Sequence, residues 1–328
     1  MKSKSGMVAV QAVARRRVET IEAPMPAPGD GEVLVRTEFA SICGSDLHQI
    51  WHGWNIRDWP QPPGYPGHEG VGQVVESRSP GFDAGDHVLL VPHFLISRCF
   101  AAYQAVHARY LVKLPDGPAR KHLLMAQQLG TVIWGARQLP HLVGKTCVVV
   151  GQGSAGLFWD FVLRRAGAER IIAVDPVAHR LGVGKLLGAH EVVQSSGSET
   201  AQAINDLTGG QGADIVIEAV GSTPTLSQAF DLVKPAGTVV LFGLPESDGP
   251  VPFRFDAFFR KRCTAYTCHG SQDEPGLVAV RQALDWIASG QIDMGRITTH
   301  TLPAARAQEG FELAAGPGPS VVKVTLTF

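Results

Sequence analysis

The stretch Val148-Val-Val-Gly-Gln-Gly-Ser-Ala-Gly156 decides the fold, because it joins an apolar strand to a helix through the spacing GxGxxG. The first glycine allows a tight turn, the second lets the backbone approach a pyrophosphate, and the third allows close packing of helix on strand. The dipole and free N–H groups of the helix N-terminus attract phosphate charge. The alternative is a turn of this sequence in an α/β protein that binds no cofactor.

Asp175 ends the next apolar strand, about 20 positions after the last of these glycines. A carboxylate at this place accepts hydrogen bonds from the adenosine ribose hydroxyls and repels a 2′-phosphate. Pro176 and Val177 follow it, and the next arginine is Arg180. The sequence therefore predicts NAD rather than NADP. The alternative for Asp175 is a solvated residue at a strand end.

Strands and helices alternate around this stretch. The predicted strands are 146–150, 170–174, 215–218 and 238–242, and the predicted helices are 155–167, 178–188, 199–208 and 224–234. This βαβαβ order indicates a parallel sheet covered on both faces. The first hundred residues and the tail 297–328 have instead the pattern of strands and turns. We therefore expect an α/β chain in which a Rossmann doubly wound domain, 127–270, is inserted into a β-rich domain, 1–126 plus 271–328.

Composition excludes several classes of protein. The 328 residues include 45% hydrophobic and 18% charged residues, and 29 Lys+Arg against 30 Asp+Glu gives a net charge of −1, which argues against a dedicated nucleic-acid binder. No uncharged apolar run reaches the roughly 18 residues of a membrane span, so no membrane partner is expected. The apolar stretch 7–14 is followed by three arginines, where a signal peptide would need a cleavage site. Five scattered cysteines without a CxxC pair favour a reducing cytoplasm.

Two short segments carry residue types that bind zinc. They are Ile42-Cys-Gly-Ser-Asp-Leu-His48 and Pro66-Gly-His-Glu-Gly70, and both lie where a predicted strand meets a loop. Cys43 and His68 are zinc-ligand types, and Glu69 is a third candidate. A lone cysteine or histidine is more often structural, but the two segments together with a dinucleotide motif are more specific.

The same segments carry residues that could move a proton. Asp46 is placed to orient the ring of His68 as a neighbouring carboxylate. Ser45 and His48 could form a path from a buried alcohol to solvent, because a hydroxyl and an imidazole exchange protons readily.

With these motifs the sequence resembles, nearly end to end, the zinc-dependent alcohol dehydrogenases of the medium-chain dehydrogenase/reductase superfamily. The matching segments are 28–35, 42–46, 67–70, 85–88, 110–115, 151–156, 217–221 and 240–244. The resemblance implies that the β-rich domain is a GroES-like catalytic domain. It also implies a catalytic zinc on Cys43 and His68, with Glu69 bound to the metal or near it, and a proton relay through Ser45 and His48.

Two departures from the family pattern concern the metal. The lobe that binds a structural zinc through four cysteines would lie between Val91 and Tyr110, where only Cys99 is present, so one catalytic zinc and no structural zinc are expected. The remaining catalytic ligand aligns with Gln127, whose neutral carbonyl oxygen is a poorer ligand than a carboxylate or thiolate. We therefore expect weakly held zinc, with Gln128 pointing away from the metal-facing side of its helix.

The resemblance gives a complete set of expected roles. The residues expected to contact NAD are Thr131, Gly151, Gly153, Ser154, Ala155, Gly156, Asp175, Arg180, Val220 and Gly243.

The expected reaction is the NAD(H)-dependent interconversion of an alcohol, expected to be secondary, and its ketone or aldehyde. The enzyme is expected to be a cytoplasmic homodimer or homotetramer. Zinc would polarise the alcohol oxygen, the proton would leave through Ser45 and His48, and hydride would pass to the nicotinamide. Two alternatives stay open: a metal-free reductase of activated double bonds, and a dinucleotide-binding protein without turnover.

Two aromatic segments each leave two interpretations open. Trp51, Trp54 and Trp59 are expected either to line the substrate pocket or to pack the loop in which they lie. The phenylalanines of residues 253–259 are expected either at a subunit interface or in the core of the cofactor domain.

Overall fold

The computed structural model describes residues 6–93, 95–316, 318 and 320–328. The chain forms two compact units. The first contains the residues up to Thr131, Gly270–Gly316 and Lys323–Phe328, and the second contains Val132–His269 with a short segment that ends at Val322. The expected combination of a β-rich part and a parallel α/β part is confirmed, whereas the domain boundaries at 126/127 and 270/271 stay predictions.

The N-terminal part is mostly strand. Its strands are β1 (Gly6–Ala14), β2 (Arg17–Pro24), β3 (Glu32–Ile42), β4 (Gly70–Ser77), β5 (His87–Leu90), β6 (Tyr103–His107) and β7 (Leu111–Lys113). Its helices are α1 (Gly44–Leu47), which continues as a π-helix over His48–His52, then α2 (Arg120–Leu123) and α3 (Ala126–Ala136).

The second unit alternates strands and helices. The strands are β8 (Thr146–Val150), β9 (Arg170–Val174), β10 (Glu191–Val193), β11 (Ala213–Glu218), β12 (Val233–Leu241) and β13 (Thr264–Thr267). The helices are α4 (Ser154–Arg165), α5 (Ala178–Leu187), α6 (Glu199–Leu207), α7 (Thr223–Leu232) and α8 (Phe255–Lys261). The C-terminal part adds α9 (Val278–Ala288), β14 (His300–Pro303), α10 (Ala307–Ala315) and β15 (Val324–Thr327) to the first unit.

The sheet of the second unit is parallel, with strand order β10-β9-β8-β11-β12-β13 in the part of the chain that the structure describes. The chain winds from β8 outward to β10 and then returns to β11 on the other side of β8. Ligands bind at such a switch point, beyond the carboxyl ends of the strands. The GxGxxG turn follows β8 and Asp175 follows β9, so the topology brings both to this edge.

The sheet of the first unit has β3 at its centre. Within the described residues the order is β14-β15-β3-β4-β5-β7, with β6 also paired to β3, and β1 and β2 form a separate hairpin. In register, Ala40 of β3 faces Gly70 of β4, and Ile42 of β3 faces Val324 of β15. The residues that follow β3 and the residues that precede β4 and β15 therefore meet at one edge of the sheet.

None of the helices among the described residues is long and apolar enough to cross a bilayer.

Phe230 is the aromatic centre of the core of the second unit. It is 1% exposed, and its ring lies 4.9 Å from that of Phe253 and 5.9 Å from that of Phe258. We expect Phe230→Ala to lower the free energy of unfolding by about 3–5 kcal/mol, because it leaves a cavity. Phe255 is 62% exposed, so Phe255→Ala should change stability by less than about 0.5 kcal/mol. Thermal and urea unfolding of both variants measure this, and equal effects would contradict the assignment of the core.

Candidate metal and dinucleotide sites

The residues predicted to bind zinc converge in the first unit. Cys43 directly follows β3, and His68 and Glu69 directly precede β4, so the antiparallel pairing of these strands brings them together. One ligand atom from each of the three lies within 4.8 Å of the other two. A thiol, an imidazole and a carboxylate at this separation are a donor set that fits a zinc ion.

Asp46 fixes the two residues expected to be the principal ligands. Its Oδ1 lies 3.1 Å from His68 Nδ1, and its Oδ2 accepts a hydrogen bond of 2.8 Å from the backbone N–H of Cys43. Burial by itself lowers the pKa of His68, but the charge and hydrogen bond of Asp46, together with Cys43, outweigh burial and raise it well above its usual value. With Nδ1 held by Asp46, the Nε2 atom is the one presented to a metal.

Lys323, which precedes β15, holds the side chain of Glu69 in place. Lys323 Nζ lies 2.7 Å from Oε2 and 3.0 Å from Oε1 of Glu69, and the Ser41 hydroxyl also donates to Oε2. Both charged side chains are at most 2% exposed. Burial alone would raise the pKa of Glu69, but the charges of Lys323 and His68 and the hydrogen bonds outweigh it and lower the pKa. Glu69 therefore carries a charge that Lys323 neutralises.

The side chain of Gln128 contacts the cluster. Gln128 Nε2 donates to Cys43 Sγ at 3.5 Å, and its buried Oε1 has no hydrogen-bond partner among the described residues. The expectation that Gln128 points away from the metal-facing side is therefore wrong. Gln127 is buried on the same helix, where its backbone carbonyl oxygen accepts from Thr131 Oγ1 at 3.2 Å. Its role as a ligand stays a prediction.

The predicted proton relay lies beside these groups. Ser45 Oγ is 3.3 Å from His68 Nε2, the atom that faces a metal. His48 is three residues later, at the start of the π-helix, and such a spacing places two side chains on one helix face. The ring of His48 is centred 5.5 Å from the ring of His52, which is exposed. The step from Ser45 to His48 stays a prediction.

Trp51 packs inside the first unit. Its ring stacks on that of Phe311, with centroids 5.8 Å apart and planes 14° apart, and Phe311 is fully buried. This contact favours the packing interpretation for Trp51. Trp54 and Trp59 are half-buried, and their two interpretations stay open.

The glycines of the GxGxxG turn have the conformations that the motif predicts. Gly151 has φ +92°, where side chains are strained. A Cβ on Gly156 would lie 1.8 Å from the carbonyl oxygen of Gly151, whereas one on Gly153 would meet nothing within 4 Å. The first and third glycines are thus required by the fold, and the second leaves open space that fits the approach of a pyrophosphate.

Asp175 connects the turn to the end of β9. Its Oδ2 accepts from the backbone N–H of Gln152 at 2.7 Å, and its Oδ1 accepts from that of Val177 at 2.8 Å. The side chain is 4% exposed. It is therefore a fixed, buried acceptor rather than a solvated residue at a strand end.

The other predicted cofactor contacts lie in different surroundings. Ser154 and Ala155 begin α4, while the backbone N–H groups of Val220 and Gly243 bond to Oε1 and to the carbonyl oxygen of Glu218, respectively. Arg180 donates to the carbonyl oxygen of Val321 at 3.1 Å. Thr131, in the first unit, has its Oγ1 3.1 Å from Ser271 Oγ. The roles of these residues in binding NAD stay predictions.

Sequence reasoning did not identify three polar residues at these sites. Lys323 could have been noticed as a single lysine in the apolar tail Val321-Val-Lys-Val, but nothing local links it to Glu69. Gln128 has the same side chain as its neighbour, so the sequence does not distinguish them. Gln152 occupies a variable position of GxGxxG.

Comparison with known proteins gives matches along most of the chain. The family described as alcohol dehydrogenase GroES-like domain matches residues 29–116, and the family described as zinc-binding dehydrogenase matches residues 156–289. An L-threonine 3-dehydrogenase of Bacillus velezensis is 28% identical over 319 residues, covering 89% of this chain and 90% of that protein. An alcohol dehydrogenase of Cupriavidus necator is 27% identical, covering 94% and 95%.

A solved structure shares the whole architecture. The alcohol dehydrogenase of Thermus sp. ATN1 superposes with a TM-score of 0.80 at 27% identity, covering 98% of this chain and 99% of that one.

Cys99 is unsuited to bind a second zinc ion. It is fully buried, its thiol donates to Gln104 Oε1 at 3.7 Å, and burial raises its pKa to about 12. Zinc binds the thiolate. We expect at most one zinc per chain by elemental analysis, unchanged in Cys99→Ala and lost in Cys43→Ala. Two tightly held ions per chain, or loss of zinc in Cys99→Ala, would refute this.

The Gln128 side chain should control how tightly zinc is held. In Gln128→Glu a carboxylate replaces the unpartnered Oε1 beside Cys43 and adds the negative charge that a zinc ion attracts. We expect zinc affinity to rise about 10–100-fold, measured by competition with a chromogenic chelator. Gln127→Glu is the matched control on the same helix and should have a smaller effect. A larger rise in zinc affinity in Gln127→Glu than in Gln128→Glu would contradict this and support position 127 as the ligand that the sequence predicts.

Proposed function

Since the chain belongs to the zinc-dependent alcohol dehydrogenases of the medium-chain dehydrogenase/reductase superfamily, we propose that it interconverts a secondary alcohol and its ketone with NAD(H). Membership of the family makes it an NAD(P)-dependent oxidoreductase of alcohols. The observation that carries the finer proposal is the convergence of Cys43, His68 and Glu69, beside Ser45, in a chain that also has the GxGxxG turn and Asp175.

Cys43 and His68 would hold the metal, with the Gln128 side chain beside them. A zinc ion supplies Lewis acidity that polarises an alcohol oxygen and lowers its pKa. Because Lys323 neutralises Glu69 and the glutamine is uncharged, a Cys43 thiolate would be the one anionic ligand in a set made of Cys43, His68 and Gln128. Such a set favours an electrophilic but weakly retained metal.

Ser45 is the residue placed to take the proton of the alcohol. Its hydroxyl lies 3.3 Å from Nε2 of His68, the nitrogen that would bind the metal, so an alcohol bound beside that nitrogen would be within reach. His48 would accept the proton next, and the exposed His52 would pass it to water. The Asp46–His68 contact keeps the tautomer of His68 fixed while the proton moves.

NAD would bind at the carboxyl ends of β8 and β9. The Gly153 backbone and the N-terminus of α4 would receive the pyrophosphate, and Asp175 would accept from the adenosine ribose hydroxyls. When bound, the nicotinamide supplies the hydride acceptor. The buried carboxylate of Asp175 supports NAD over NADP, because a 2′-phosphate beside it would meet like charge.

Three further features of the proposal follow from the family and the surface. Relatives named for oxidising threonine at carbon 3 support a secondary alcohol as substrate. Self-association, as a homodimer or homotetramer, is supported by β13 as an edge strand and by the exposed rings of Phe255 and Phe259 in α8. Light scattering on the purified chain tests it. A reducing cytoplasm remains the proposed compartment.

A single experiment separates this function from its alternatives. Zinc content is measured on the purified chain, and the reduction of NAD is followed with a panel of primary and secondary alcohols, with the reduction of enones alongside. Zinc-dependent oxidation of secondary alcohols is expected. Enone reduction without zinc would establish the metal-free reductase, and nucleotide binding without any turnover would establish a non-catalytic protein.

Asp175 should determine the choice of nucleotide. We expect wild-type kcat/KM to favour NAD over NADP, and Asp175→Ala to reduce that preference about 10-fold or more, since the repulsion of the 2′-phosphate is removed. Asp206→Ala, which removes an exposed carboxylate from α6 of the same unit, should leave the ratio unchanged. Equal or better efficiency of the wild type with NADP would overturn this assignment.

A further inference from the structure

Asp160 is a buried acid in the middle of α4 that the proposed reaction does not use. It is 0% exposed, and neither carboxyl oxygen has a hydrogen-bond partner among the described residues. A carboxylate without partners is costly to bury, and such a group takes up a proton instead. Burial accordingly raises the pKa of Asp160 well above its usual value, and the nearby amide of Gln152 offsets only part of this.

A second unpartnered atom lies at the same place. Gln152 Nε2 donates to the carbonyl oxygen of Gly151 at 3.4 Å, while Gln152 Oε1 is buried without a partner. Gly184 of α5 shows that the two unpartnered groups border the same space. A Cβ there would lie 2.5 Å from Gln152 Oε1 and 3.0 Å from Asp160 Oδ2.

The orientation of the Gln152 amide identifies the atom that can join these groups. Because Nε2 is directed to the backbone of Gly151, Oε1 is the amide atom that lies beside Gly184, where Asp160 Oδ2 also lies. An amide oxygen repels a carboxylate but accepts a hydrogen bond from a carboxylic acid. One proton on Asp160 would therefore give both unpartnered groups a partner.

Gln152 is also part of the dinucleotide site. It lies between Gly151 and Gly153, and its backbone N–H donates to Asp175 Oδ2 at 2.7 Å. Whatever fixes the Gln152 side chain therefore fixes both the phosphate-binding turn and the carboxylate expected to hold the ribose.

We propose that Asp160, as a neutral carboxylic acid, is a positioning residue for the cofactor: its O–H holds the Gln152 amide, which keeps the turn and Asp175 in the geometry that binds NAD. The proposal rests on the proposed function, since it assumes that the turn binds NAD. Gly184 belongs to the same arrangement, because it leaves the space over α5 in which the acid and the amide meet.

The test uses the full-length, zinc-loaded protein and NADH, with the dissociation constant measured by the change in NADH fluorescence. Asp160→Asn keeps a neutral N–H donor and should stay within about 2-fold of the wild type. Asp160→Leu removes the donor and should weaken NADH binding about 3–10-fold, the value of one hydrogen bond. In turnover, KM for NAD should rise by the same factor, while kcat at saturating NAD stays unchanged.

Gly184 provides a second test with a matched control. Alanine favours a helix over glycine, so Gly184→Ala should be neutral or stabilising if only the helix matters. We expect it instead to weaken NADH binding about 3–10-fold, because its methyl group enters the space between the acid and the amide. Gly182→Ala in the same helix meets nothing within 4 Å and should leave NADH binding unchanged.

Infrared spectroscopy tests the neutral acid without any cofactor. At a pH where ordinary carboxyl groups are ionised, the difference spectrum of wild type minus Asp160→Asn should contain the carbonyl band of one protonated carboxylic acid. Absence of that band would overturn the proposal. Lowered thermal stability with unchanged NADH affinity in Asp160→Leu and Gly184→Ala would show a structural role and also overturn it. A wild-type protein that binds neither NADH nor NADPH would instead refute the proposed function.

Discussion

The predicted metal-binding cluster depends on the pairing of β3 with β4 on one side and β15 on the other. These pairings place Cys43 at the end of one strand, His68 and Glu69 before the second, and Lys323 before the third. A one-residue slip of β4 would move its side chains to the opposite face of the sheet and separate the donor atoms. The register is specified strongly, because Val33 and Val35 of β3 and Val71 and Val74 of β4 are buried. Core packing therefore determines the geometry of the site.

The buried pair of Glu69 and Lys323 adds a constraint of charge. Either ion alone at this depth would be unstable, and removal of one partner of a buried pair generally costs about 3–5 kcal/mol. Three interactions hold Glu69, two from Lys323 and one from Ser41. Movement of this carboxylate onto a metal would leave Lys323 buried without its partner, so coordination by Glu69 competes directly with the ion pair. The Gln128 side chain has no such competing bond at its oxygen.

The parts of the structure that follow from local sequence were predictable, and those that depend on distant pairings were not. The strands 146–150 and 170–174 agree with the prediction to the residue, since each is a short apolar run between turn signals. The GxGxxG turn was predictable because the steric requirements for its glycines lie within the turn itself. By contrast, the partner of Glu69 is 254 positions away, and the choice between Gln127 and Gln128 depends on the rotation of α3 against Cys43. A single sequence shows neither the pairing of Glu69 with Lys323 nor the rotation of α3.

Three buried aspartates have different roles because the groups that surround their carboxyl oxygens differ. Asp46 gives one oxygen to His68 and the other to the backbone of Cys43, and Asp175 divides its two oxygens between the backbones of Gln152 and Val177. A carboxylate with a donor on each oxygen can remain charged and fix two segments at once. Asp160 is as deeply buried but has no donor, so a proton must supply what the backbone does not. The three residues are indistinguishable by type, and the groups that surround each carboxyl decide which segments it joins.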